Sequence, residues 1–142
     1  MDEAILNMGH ALDLYPYNAE YHAARGFFFL EDGIPDKAAA DFDLALQRNS
    51  YEMLANFGRG VLAYREKNWE TAIQHFKTAW AAESKRPETL YYLALSHHHH
   101  HQNTQALQWM TQAKAAYETA ENRKLARQSE RWISVLGKLV DA

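Results

Sequence analysis

Three eight-residue stretches decide how this chain is read: AAADFDLA at residues 38–45, AIQHFKTA at 72–79 and ALQWMTQA at 106–113. Each begins and ends in alanine, carries a large apolar residue at its fifth place, and lies 34 residues from the next. Ala38, Ala72 and Ala106 coincide in this register, as do Phe42, Phe76 and Met110, and Ala45, Ala79 and Ala113. Upstream, Gly26, Gly60 and Ala94 coincide, and one period earlier Ala4, Met8 and Ala11 continue the first three series. Spacings of four and seven residues place a small, a large and a small side chain on one stripe of a helix. The small residues admit a neighbouring helix closely, and the large one fills the gap between successive hairpins. The Gly/Ala series marks where the first helix of each pair crosses the second. One such hairpin cannot bury both of its apolar faces, so each requires the next stacked upon it.

The totals agree with a helical protein. Of 142 residues, 47% are apolar, enough for a continuous core, and only three prolines and six glycines interrupt the chain. No apolar run approaches the roughly 20 residues of a membrane span. Met1-Asp2-Glu3-Ala4 lacks the basic and apolar regions of a signal peptide. Cysteine is absent, so no disulfide framework is available, and a cytoplasmic protein is expected. Net charge is −3, but unevenly spread. Residues 1–50 hold nine acidic and three basic side chains, a balance of −6, while residues 51–142 hold nine and twelve, a balance of +3. Neither half carries the dense Lys/Arg face of a nucleic-acid site.

The residues of these series, with Pro16 closing the first half-repeat, resemble the tetratricopeptide repeat. The resemblance covers about residues 4–120 and implies an all-α, right-handed solenoid of helical hairpins. About three and a half repeats and a capping helix are expected. Residues 1–18 stand as the second helix of an incomplete unit, 19–52, 53–86 and 87–120 as full units, and 121–142 as the cap. First helices are expected at about 19–31, 53–66 and 87–99, and second helices at 36–48, 70–82 and 104–118. Asp32-Gly33-Ile34-Pro35 reads as a turn, with Gly ending one helix and Pro opening the next. Asn68 and Asn103 are expected to serve the later turns by taking the left-handed conformation. In the closing helix, Leu125, Trp132, Ile133, Leu136 and Val140 form one apolar stripe that covers the last hairpin.

On α-helical spacing, Ile5, Met8 and Leu12 form an apolar stripe at the N-terminal edge without a partner helix. That stripe is expected to be covered by another copy of the chain or by further repeats of a longer array. His97 to His101 form an unbroken run of five. His97 and His101 are four apart, the spacing that presents two imidazoles on one helix face to Zn²⁺, Ni²⁺ or Cu²⁺. No Cys, Asp or Glu nearby completes a recognised site, so no metal and no cofactor are expected. No phosphate-binding glycine loop, Gly-x-Ser-x-Gly elbow or His-Glu-x-x-His appears, and an enzyme is not expected.

The resemblance places the first helices on the concave face, where a peptide commonly lies. Phe27 and Leu30 in the first unit, Leu54, Phe57, Val61, Tyr64 and Arg65 in the second, and Glu88, Tyr91 and Leu95 in the third are expected to line it. With that face so apolar, the expected function is a protein-interaction scaffold or chaperone-like adaptor holding an apolar or amphipathic segment. A structural self-assembly module, or a fragment of a longer array of such repeats, is the alternative. The carboxylate clamp of certain co-chaperones in this family is not expected. Its places here hold Ala23, Phe27, Gly58, Glu88 and Tyr92, which supply neither the cations nor the amide.

Overall fold

In the computed structural model, which describes residues 2–142, eight α-helices follow one another without a strand among the described residues. They are α1 (Glu3–Leu14), α2 (Ala19–Glu31), α3 (Pro35–Arg48), α4 (Met53–Arg65), α5 (Trp69–Ala82), α6 (Pro87–His99), α7 (Asn103–Thr119) and α8 (Arg123–Asp141). Helices α2–α3, α4–α5 and α6–α7 pair as hairpins. Each hairpin packs on the next, α1 lies against α2, and α8 against α7. The result is an all-α solenoid with α1 and α8 at its two ends.

The 34-residue register is visible in the packing. Ala38, Phe42 and Ala45 of α3, Ala72, Phe76 and Ala79 of α5, and Ala106, Met110 and Ala113 of α7 are all fully buried. The Gly/Ala series sits at the helix crossings. A Cβ placed on Gly26 would lie 2.7 Å from the Phe42 ring, and one on Gly60 would lie 2.6 Å from Phe76. Neither ring can withdraw, because both are enclosed on every side.

The register also extends to the backbone. Gly33, Lys67 and His101, each 34 residues from the next, take φ of +76°, +62° and +61°, and Glu121 takes +59° before α8. After each, the next N–H reaches back five residues to a helix carbonyl: Ile34 to Phe29, Asn68 to Ala63, Gln102 to His97, and Asn122 to Tyr117. This closes the helix end in the Schellman manner. The expected role of Asn68 and Asn103 is therefore corrected. The left-handed residues are Lys67 and His101. Asn68 instead accepts from the Thr71 N–H as an N-cap, and Asn103 lies inside α7. An asparagine side chain contributes more by capping an exposed N–H than by relieving a turn that the Schellman bonds already enforce.

Two further expectations change. Ile5 and Leu12 are buried, 3% and 6% exposed, because α1 turns them onto α2. Only Met8 of that stripe is half-exposed, and the truly open apolar residues of α1 are Leu6 and Leu14 on its other side. In α8, Leu136 is fully enclosed and Leu125, Trp132 and Ile133 are half-buried, whereas Val140 is exposed. The last turn of α8 runs past the hairpin it covers.

Candidate functional site

On the face formed by the first helices α2, α4 and α6 lies a cleft of about 300 Å³. Phe27, Leu30, Phe57, Val61 and Tyr92 form its apolar lining, and Glu31, Arg65, Arg86 and Glu88 its charged rim. Its floor is aromatic. Phe57 meets Phe27 at 6.5 Å and Tyr92 edge-on at 5.8 Å, and Tyr92 stacks on Phe76 with the rings 22° from parallel. Quadrupole-matched arrangements of this kind add to the burial of the rings.

Arg86 has an unusual origin. It occupies the N-cap place of α6, where Glu52 and Asn18 stand one and two periods earlier. Those two accept from the Ala55 and Tyr21 N–H groups, but a guanidinium has only donors and cannot cap. Arg86 instead lies over the Phe57 ring at 4.5 Å, with Nε 3.5 Å from Glu88 and Nη1 3.1 Å from the Met53 sulfur. A sulfur and one exposed carboxylate leave several guanidinium donors open to an acceptor. Burial raises the phenol pKa values of Tyr64 and Tyr91 and pushes that of Tyr117 up to about 12, the last with help from Glu88. These three phenols are thus uncharged near neutrality.

Of the residues expected on this face, Phe27, Leu30, Phe57, Val61, Arg65 and Glu88 come together at the cleft. The other four do not. Leu54 packs half-buried against the main core. Tyr64 is wedged among Trp69, Tyr92 and His99. Tyr91 turns to Tyr117, and Leu95 joins the C-terminal core cluster. Phe57, expected only as a lining residue, is 3% exposed and is also core: it joins α4 to α5 and α6 and cannot be charged without loss of fold. Sequence reading missed Glu31, Arg86 and Tyr92 as lining residues. Two signals were available. Glu31 lies one period before Arg65, and Arg86 is a basic residue at a capping place.

The histidine run is not assembled as a metal site. α6 ends at His99, and His101 sits beyond it in the left-handed turn, so His97 and His101 do not share a helix face. His97 is buried with Nδ1 2.7 Å from Gln102 Oε1, and desolvation lowers its pKa. His98 is held by Asn103 and packs on Trp132, and His99 stacks on Trp69 at 4.5 Å. Among the described residues no group of three or more His, Asp or Glu is placed to hold a metal ion.

The fold has close counterparts. The chain resembles the type III secretion translocator chaperone SycD of Yersinia enterocolitica with a TM-score of 0.77 at 14% identity, covering 87% of this chain and 86% of that one. It resembles PcrH of Pseudomonas aeruginosa at 0.72 and 18% identity, covering 84% and 91%. MamA of Desulfovibrio magneticus RS-1 gives 0.67 and 16% identity, covering 99% and 87%. No protein-family model matches the chain, and no curated protein matches its sequence. The solenoid is therefore of the tetratricopeptide type. Identities this low carry the fold and nothing more. No helix is long and apolar enough to cross a membrane among the described residues.

Proposed function

We propose that this protein is a scaffold or chaperone-like adaptor that holds an apolar or amphipathic segment of a partner protein against α2, α4 and α6. The observation that carries this reading is the cleft itself. Phe27 and Tyr92 stay part-exposed above the buried Leu30, Phe57 and Val61, beside four charged side chains, two of each sign. A large apolar side chain of the partner would enter between Phe27 and Tyr92, and the rim charges would select its flanking residues. Arg86, anchored on Phe57 and short of strong acceptors, would take a main-chain carbonyl or side-chain oxygen of that segment. The structural resemblance to SycD, described as a translocator chaperone, is consistent with a binding rather than a catalytic role.

The test uses positions that reach solvent, in place of the enclosed Phe57. Phe27→Glu and Arg65→Glu, at a half-buried and an exposed position, are compared with the distant exposed control Gln108→Glu. In pull-downs read by mass spectrometry, one partner captured by the parent and by the control should be lost with both groove variants, while their melting curves stay close to the parent's. Retention of that partner by a folded Phe27→Glu protein would refute the groove reading.

A further inference from the structure

The two ends of the solenoid carry opposite charge on their outer faces. On α8, Lys124, Arg127, Arg131 and Lys138 recur at spacings of three, four and seven, so they share one helix face, and all four are exposed. Among the described residues, none of the four is in an ion pair; the only ion pair α8 makes is Glu130 to Lys114. Beside this row Val135 and Leu139 are 49% and 44% exposed, although the opposite side of α8 buries Leu136 completely. The outer face of α1 has the same layout with the sign reversed. Glu3 and Asp13 flank Leu6 and Leu14, which are 49% and 76% exposed, while Ile5 and Leu12 point inward. Neither carboxylate is within ion-pair distance of a cation among the described residues, although Asp13 is near enough to Arg25 of α2 to raise its pKa, and the surrounding residues 1–50 have a balance of −6.

These faces cannot satisfy one another within a single copy. Packing runs in order from α1 through α7 to α8, so the basic and acidic faces stand at opposite ends of the array. Between two copies they are complementary in charge, and each contributes two large apolar side chains at the centre of the contact. In order of helices, α1 of a second copy would follow α8 as a second helix follows a first within each hairpin.

We propose that copies of this chain associate head to tail, the basic outer face of α8 docking on the acidic outer face of α1. The contact is heterologous, so it propagates into short linear assemblies. Its polar rim is exposed, so it weakens with salt. It uses neither the cleft nor any residue that lines it, and it stands independently of the adaptor reading.

Sedimentation velocity of the full chain across a concentration series tests this directly. Near 20 mM salt the weight-average mass should rise above the 16.4 kDa of one chain as concentration increases, and the association should weaken by roughly tenfold or more near 300 mM salt. Arg131→Glu/Lys138→Glu and Glu3→Arg/Asp13→Arg should each sediment as a monomer. An equimolar mixture of the two should associate again, because the unaltered α1 face of the first variant then meets the unaltered α8 face of the second. A parent that is monomeric at every concentration in low salt overturns the proposal. So does association that either double variant retains, or a mixture that stays monomeric when the separate variants do.

Discussion

The joint between the first two hairpins and the joint between the second and third share one register and are built in opposite ways. At the first, Gly58 of α4 faces the Phe42 ring so closely that a Cβ there would overlap it. Helices α2 and α4 consequently approach along their length. At the second, one period later, the same place holds Tyr92. Its ring stacks on Phe76 at 5.3 Å and also touches Phe57 and Tyr64. Helices α4 and α6 then approach only at a few points, and the cleft opens above the inserted rings. The polar contacts differ as well. Within the first hairpin, α2 and α3 bury Asp41, which receives two 2.7 Å hydrogen bonds from Arg25 and lies 3.2 Å from His22, while His22 Nε2 reaches the Pro16 carbonyl. In the second the corresponding pair is Asn56 and His75 at 3.1 Å, with Asn56 donating to the Ser50 carbonyl. A single residue at one repeat position thus decides whether neighbouring first helices close up or leave a site between them.

The most severe way to break this difference is Gly58→Tyr, which gives the first joint the residue of the second. Phe42 is enclosed and cannot make room, so a loss of about 3 kcal/mol or more is expected, read as a lower urea midpoint. A variant as stable as the parent would show that the two joints are interchangeable. A middle-sized effect separates the polar pairs. Asp41→Ala strands a guanidinium and an imidazole that are largely out of water, and should cost about 2–3 kcal/mol. His75→Ala breaks one neutral hydrogen bond and should cost about 1 kcal/mol. Equal costs would mean that the first hairpin's ion pair adds nothing to its hydrogen bonds.

The smallest effect is in pH. Desolvation, the largest cause, lowers the pKa of His75 and of His97 below the ordinary 6.5. The unfolded chain therefore binds more protons there, so stability is retained above about pH 6.5 and falls as pH drops through the lower folded values. Melting curves between pH 7.5 and about 5 should show this loss, and His75→Gln/His97→Gln should make the slope shallower. An unchanged slope would place the acid sensitivity elsewhere.

The helical hairpins were legible because their signals are local and periodic. The second-helix series of alanine, large residue and alanine, the Gly/Ala crossings and the Asp32–Pro35 turn each report on neighbours three to seven residues away, and a helix converts those spacings directly into faces. The observed ends of the six hairpin helices lie within two residues of those expected. The groove was legible in part. Phe27, Val61 and Arg65 follow from the face of the first helices, but that same face also contains Leu54, Tyr64, Tyr91 and Leu95. Helical spacing gives the direction of a side chain and not the distance to the next helix, and that distance is what separates a lining residue from a packed one.

The sequence by itself therefore determined the repeat, its period, the pairing of helices and the unequal charge of the two halves, since each follows from residue type and spacing alone. Tertiary structure decided the rest. It buried Ile5 and Leu12 on α2 and left Leu6 and Leu14 open. It made Phe57 part of the core, moved Arg86 from a cap to a ring face, and ended α6 before His101 could join His97. Each outcome depends on which surface a neighbouring helix happens to cover. Burial and pairing are properties of two elements at once, and no single stretch of chain encodes them.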